Sequence, residues 1–415
     1  MRTPVEDFWT LNEPRNVTLI SATHGVNEFF SIALPPILPF LVADLDITYA
    51  QAGLLLTVFF VMYSIFQLPA GMLADRIGKK RLLVGGLFIM IAGIGLAVIA
   101  QTYSMLVIAQ IVAGIGGSTY HPTGMAMISD FETATTEGKA MGVFGFGGTT
   151  GIAAAPLIIG GLATVWSWRI GLAAAAAIGL IFTTVFIIVF SDSSTPRSRT
   201  KMHKPGLGAP GRLINRFRRL LAVPITWRIA MLLLLTVLVS LQTRAIMTFT
   251  TSFVSTSTEL SVGISNVVFF VMLAAGGIAS LGAGSLADRM SRWQLGILVS
   301  MMTGVLISAT VVVALVGDML PAMVLTVGLL ALFAVIGLVM YAVVPVKNAI
   351  ISSQADRSYS GSLFGLTQTA SAVGSASGPA IIGVIATWGG MHIAFPLIGS
   401  ISLAMAAAFF IYSRT

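Results

Sequence analysis

The sequence predicts an all-α membrane protein whose twelve transmembrane helices form two pseudo-symmetric six-helix bundles. Three observations predict it: hydropathy along the whole chain, the placement of the basic residues, and a repeat relating the two halves. Of 415 residues, 56% are hydrophobic and 9% charged, with a mean hydropathy of +0.95; soluble domains carry about 25% charged residues. Apolar stretches of roughly 20 residues, each enough for a helix to cross a ~30 Å hydrocarbon core, follow one another. A helix satisfies its own backbone polar groups in lipid.

The apolar stretches place spans 1 to 6 at 17–42, 48–72, 80–101, 104–129, 139–164 and 168–191. Spans 7 to 12 fall at 227–255, 262–286, 292–316, 320–346, 360–387 and 391–412. With the first tail in the cytoplasm, 21 of the 23 Lys and Arg lie on the cytoplasmic side; Arg169 is outside and Arg244 is within span 7. This is the positive-inside distribution. The net charge of +8 is therefore a topology signal and not a nucleic-acid footprint. The chain is expected in the inner membrane of a prokaryote, multi-pass and monomeric, with both termini cytoplasmic. The partner that this composition implies is the lipid bilayer.

The chain has no cysteine, which excludes disulfides, thiolate metal sites and cysteine nucleophiles. With no nucleophile–base pair or metal cluster in the pattern, no enzyme activity, cofactor or metal is expected. The first sixteen residues lack the layout of a cleavable signal, so span 1 serves as its own insertion signal.

The longest polar interval, 192–226, separates an N-terminal bundle at 1–191 from a C-terminal bundle at 227–415. Within it, Arg212 to Leu221 alternates basic and apolar residues, which suits either a helix lying on the inner leaflet or a solvated linker. A repeat supports the division. Gly71, Leu73, Ala74, Asp75 and Arg76 of "GMLADRIGKKRLL" recur 213 residues later as Gly284, Leu286, Ala287, Asp288 and Arg289 of "GSLADRMSRW". Later in each half a glycine-rich helix leads to a helical proline, Pro156 in "GIAAAPLIIGG" and Pro379 in "GSASGPAIIG".

The loop at 71–83 resembles the signature between spans 2 and 3 of the major facilitator superfamily, and the repeat, span count and linker extend that resemblance over the whole chain. It implies the major facilitator fold, with a central cavity that opens alternately to either side. "HGVNE" at 24–28, "GIGGSTYHPTG" at 114–124 and Arg244 before "TFTTSF" are similar to the fosmidomycin-resistance group of drug exporters. That implies export of small organic, drug-like and in some cases anionic compounds by proton antiport. The same residues would serve proton symport of an anionic metabolite; a transporter-like sensor is a third reading, disfavoured by the short linker.

The signature loop carries the expected conformational residues. Gly71 and Gly78 allow close backbone approach, and Asp75 can accept from a helix N-terminus, which the resemblance places at Gly361. Arg76, Lys79, Lys80 and Arg81 anchor topology or pair with Asp130, Glu132 or Glu137. Asp288 and Arg289 are the weaker counterparts, with Ser291 in place of the second glycine. "GIAAAPLIIGG" is similar to the superfamily's antiporter signature, with Ala155 in place of the usual glycine. Its glycines suit tight packing, and Pro156 frees a carbonyl and invites a bend.

Of fifteen acidic residues, only Glu28 falls inside a span, roughly 17 Å deep at 1.5 Å per residue. Intramembrane ionisable groups line pathways. His24 lies one turn away on the same face, and together they suit proton uptake and release. Arg244 keeps its proton and needs an anion, either Glu28 or the substrate. Expected substrate contacts are Arg244, Asn27, Tyr120, His121, Gln242 and Gln368, with Pro122 kinking span 4 to turn Tyr120 and His121 toward the cavity. Twenty methionines offer an adaptable apolar lining, although most belong to the lipid face or the core. Lys347 lies near the end of span 10 and could face either way.

Overall fold

The computed structural model describes residues 11–191, 224–289, 291–354 and 360–414. Among them, eleven helices are long and apolar enough to cross a membrane, and a bent pair makes a twelfth. Span 1 is that pair, Pro14–Ser31 and Pro35–Leu45, bent by 40°. Spans 2 to 6 are Tyr49–Ile77, Lys79–Val98, Tyr103–Phe131, Glu137–Val165 and Trp168–Val189. Spans 7 and 8 are Trp227–Ser257 and Val262–Arg289. Span 9 is Arg292–Ser308 continued by Thr310–Val316. Spans 10 to 12 are Ala322–Gln354, Ser360–Gly389 and Met391–Arg414. The linker at 192–226, with its stretch 212–221, lies outside the described residues except for 224–226.

Local chemistry accounts for the breaks. Span 1 stops at Ser31 because Pro35 and Pro36 supply no N–H, and a single 3-10 turn at Pro35–Ile37 carries the chain into Leu38–Leu45. Its first turn has no side-chain cap of its own. The buried carboxylate of Glu132, from the end of span 4, accepts instead from the backbone N–H groups of Asn12 and Glu13, both at 3.1 Å. Span 2 starts on a capping box of Thr48 and Gln51. It ends on Gly78 at φ +92°, ψ 143°, a conformation essentially reserved for glycine. Nothing lies within 4 Å of a Cβ built there, and one built on Gly71 would make ordinary contact with Pro122 at 3.7 Å. Neither residue is the close-packing glycine expected; Gly78 is required for its dihedrals.

Span 4 breaks at Ser118 and Thr119 between Tyr103–Gly117 and Tyr120–Phe131, one turn before Pro122. The proline cannot donate to the Ser118 carbonyl, and its ring crowds that carbonyl. In span 5, Pro156 opens a π-helical turn over Pro156–Gly160. The packing expected of its glycines holds at Gly151, which meets the Gly25 backbone, and at Gly160, which meets the Asn266 side chain; Gly161 faces open space. Span 10 runs eight residues past its expected end, because the polar run "KNAIISSQ" continues the helix.

The halves repeat the same packing. Span 1 lies on span 5, span 4 on spans 2 and 3, and span 3 on span 6; in the second half the pairs are 7 with 11, 10 with 8 and 9, and 9 with 12. The bundles meet through span 2 against span 11 and span 5 against span 8.

Their closest contacts lie toward the face away from the two termini, here called the distal face. There Ala50 N–H donates to Thr387 Oγ1 (2.8 Å), Thr57 Oγ1 to the Ala376 carbonyl (2.6 Å) and Asn266 Nδ2 to the Pro36 carbonyl (3.0 Å). Gly53 faces the Pro379 carbonyl, and Gly383 that of Tyr49. Toward the terminal face, Ile65, Phe66 and Leu68 of span 2, Phe146 of span 5 and Phe364 of span 11 are exposed. A Cβ on Gly142 or Gly145 would meet nothing within 4 Å. The seam is closed distally and the bundles part toward the termini.

Candidate functional site

Where the seam gives way lies a cavity enclosing ≈590 Å³ of empty space, part of it continuous with solvent. Spans 1, 2 and 4 supply Glu28, Ser31, Phe60, Tyr63, Ser64, Gln67 and His121; spans 7 and 11 supply Arg244, Gln368, Ser371, Ala372 and Ser375. No methionine lines it.

Glu28 is buried at 8% exposure and sits where three elements converge. Its Oε1 lies 3.2 Å from His121 Nε2 and 3.8 Å from His24 Nε2. Ser31 Oγ donates to its Oε2 at 3.3 Å. The two histidines differ. His121 keeps about a third of its side chain exposed (35%), whereas His24 retains 6%. His24 Nδ1 lies 2.8 Å from the Phe144 carbonyl, which can only accept, so Nδ1 carries the hydrogen. That leaves Nε2 facing Glu28 with no hydrogen-bond partner. The imidazole is clamped flat on the Phe144 ring, with centroids 3.8 Å apart and planes 3° apart, and edge-on to His121 at 5.0 Å. Gly148 leaves room behind it: a Cβ there would stand 2.5 Å from His24 Cε1.

Across the cavity, Arg244 is the eighteenth of the 31 residues of span 7. That places it two residues beyond the middle of the helix, on the distal side. Its guanidinium lies over the Phe60 ring at 4.3 Å. No ion pair within 4 Å joins it to a carboxylate of the described residues. Arg244 and Glu28 thus share one cavity without touching, and the carboxylate is held by histidines instead.

Three expected contacts lie behind the wall. Asn27 is fully buried, donating to the Gly117 carbonyl at the span 4 break (3.3 Å) and accepting from Tyr63 OH (3.4 Å). Tyr120 donates to the Ile20 carbonyl (2.6 Å) and stacks on His24 with centroids 5.6 Å apart. Gln242 accepts from Ser402 Oγ at 2.7 Å, tying span 7 to span 12. In lipid an interhelical contact and a cavity wall both call for polar side chains, so sequence alone does not separate them. Gln368 and His121 do line the cavity. Ser371 and Ser375 were missed, although their spacing from Gln368 puts all three on one helical face.

Of the basic residues in the signature loop, Lys79 pairs with Asp130 at 2.6 Å, one of the expected partners. Asp75, Arg76 and Arg81 are exposed on the terminal face. Asp288 and Arg289 close span 8 and Gly361 stands at the start of span 11; the surroundings of their side chains fall outside the described part. Lys347 is half-buried within span 10. The donor atoms of His24, Glu28 and His121 all lie within 4.8 Å of one another, near enough for a metal ion to bridge, although protons shared with the carboxylate account for the same geometry.

Comparison with known proteins places this architecture. The family model described as Major Facilitator Superfamily matches residues 20–328. The chain belongs to the Major Facilitator Superfamily. Two inward-facing structures of a bacterial homolog of the human lysosomal transporter Spinster superpose with a TM-score of 0.77. At 15% and 14% identity, covering 96% and 100% of this chain and 96% and 98% of theirs, they share its fold. Among curated relatives, a probable L-galactonate transporter of Escherichia coli is 32% identical over 126 residues, 30% of this chain and 28% of the relative. The multidrug resistance protein 1 of Bacillus subtilis is 31% identical over 182 residues, 43% and 46% of the two chains. The bacillibactin exporter of the same organism is 31% identical over 163 residues, 37% and 40%. The chain spans less than half the length of each of these curated relatives. As a superfamily member with this many apolar helices it is a multi-pass membrane protein; its family is one of transporters and not an enzyme class.

Proposed function

We propose that the protein is a proton-coupled secondary transporter that exports a small organic anion by antiport through alternating access. One observation carries this reading: a buried carboxylate within span 1, Glu28, is held between two histidines and faces Arg244 across a mid-span cavity. Arg244 stays charged and needs an anion. Substrate and proton occupy the site by turns: Glu28 and its histidines give up their proton at the face where substrate settles on Arg244, and take one up at the face where it leaves. Helical transporters place such sites near the midplane.

The basic loops put the terminal face in the cytoplasm, so the described state is open to the cytoplasm, and the chain works as a monomer in a prokaryotic inner membrane. Export is supported by the resemblance of "HGVNE" and "GIGGSTYHPTG" to the fosmidomycin-resistance group and by a relative named as an exporter. Asp75 and its counterpart Asp288 serve as latches when the terminal face closes.

The test is flux in proteoliposomes under an imposed pH gradient. Substrate moving against the proton flow establishes antiport. Movement with it would reverse the direction to symport, and no coupled movement would leave a sensor. Glu28→Gln removes proton-driven accumulation and leaves exchange; surviving accumulation would take the proton site elsewhere.

A further inference from the structure

We infer that the substrate is a singly charged, hydroxyl-bearing carboxylate, its head at Arg244 and its hydroxyl groups along Gln368, Ser371 and Ser375. The inference rests on the transporter reading above and names its substrate class. Among the residues lining the cavity only Phe60 and Ala372 are apolar. Sites for lipophilic ligands are lined mainly by hydrophobic and aromatic groups. A greasy compound seated here would strip water from serine, glutamine and tyrosine groups without replacing their hydrogen bonds, a penalty of about 1–3 kcal/mol for each buried group left unmade. A polar substrate repays it.

Charge narrows the class further. Arg244 supplies one permanent positive charge with no carboxylate of the described residues within 4 Å, and its planar fork matches a carboxylate. Glu28 already occupies the histidines and repels a second negative charge. A cation would face the guanidinium, and a doubly charged head would lack its second counter-charge.

The rest of the molecule is read from span 11. Gln368, Ser371 and Ser375 lie at i, i+3 and i+7 on one face and span about 10 Å along the helix, the reach of a short polyol chain. Ser371 is held in place by Ser240, Oγ to Oγ 2.8 Å, and a hydroxyl so bonded can still accept from a ligand. Tyr63, Ser64 and Gln67 face the same cavity from span 2. The small serines leave the volume that the substrate fills.

Counterflow in proteoliposomes of the full chain, preloaded with D-gluconate and without a pH gradient, tests this directly. Labelled gluconate is expected to exchange. D-glucose, which lacks the charge, and hexanoate, which lacks the hydroxyls, should compete at least about tenfold more weakly, a difference of about 1.4 kcal/mol. Arg244→Lys should weaken gluconate and hexanoate together. The pair Ser371→Ala with Ser375→Ala should bring gluconate down to hexanoate while leaving hexanoate unchanged, a shift in ratio that misfolding would not produce. Exchange of tetraphenylphosphonium but not gluconate, or equal competition by all three organic probes, overturns the assignment. If gluconate fails while a pH gradient drives another solute, the substrate class falls and the coupling reading stands. If gluconate exchanges but no pH gradient drives it, the coupling reading falls and the substrate class stands.

Discussion

His24 presents its bare Nε2 to Glu28 Oε1 at 3.8 Å because Nδ1 is committed to the Phe144 carbonyl. A proton on that nitrogen would turn an unsatisfied pair into a charge-assisted one, which makes the position of the ring the determinant of coupling. Gly148 supports that position from span 5. Gly148→Val is expected to displace the imidazole by about an ångström and cut proton-driven flux about 10²-fold, with helical content and elution volume unchanged. Flux at the wild-type rate would remove His24 from the pathway.

Asn266 joins the two bundles at the distal seam. It accepts from Thr251 Oγ1 at 3.1 Å, donates to the Pro36 carbonyl at 3.0 Å and is 1% exposed. Asn266→Leu removes both bonds; loss of the one to Pro36, which alone crosses the seam, takes about 1–3 kcal/mol from the closed seam and should populate the distally open state. The chain has no cysteine, so spin labels at Asp46→Cys and Ser261→Cys report the distance across that face. A distribution identical to that of the parent would place the seam's stability elsewhere.

Glu132 caps span 1 from the end of span 4. Glu132→Ala should lower the thermal unfolding midpoint in detergent through a loss of about 1–2 kcal/mol. Glu132→Gln, keeping one acceptor, should lose less. Equal midpoints for all three proteins would show that the cap contributes nothing.

Gly78 sits at φ +92° with open space around it. Gly78→Ala therefore meets no clash with neighbours and still costs about 1–3 kcal/mol in backbone strain. The expected result is a lower yield of folded protein and a lower midpoint. A change to Ala at Gly161, which also faces open space but has no unusual dihedral, should be near neutral and serves as the control.

How much of this was legible beforehand differs by level. Hydropathy located the spans, because the cost of unsatisfied backbone in lipid leaves few alternatives. It missed the continuation of span 10 through "KNAIISSQ", since a helix leaving the membrane no longer needs apolar residues. Glu28, His24, His121 and Arg244 stood out because an ionisable group in an apolar run is rare. Asn27 and Tyr120 are as polar as His121, yet they point into helix contacts; which face of span 4 meets the cavity depends on the break at Ser118, one turn before the proline that causes it. The Glu132 cap joins segments about 120 residues apart, and no local pattern carries it.

Three hydrogen bonds of the described residues across the distal seam each pair a side chain of one bundle with a main-chain atom of the other: Asn266 with Pro36, Thr57 with Ala376, and Thr387 with Ala50. A substitution cannot delete a main-chain carbonyl, and only proline removes an N–H. Each bond is thus exposed to mutational loss on one side only. Variation at Pro36, Ala376 or Ala50 can proceed as long as the backbone path holds, while drift at Asn266, Thr57 and Thr387 alters how readily the transporter opens. Selection for faster or slower turnover on an unfamiliar substrate can act on such positions, none of which lines the cavity.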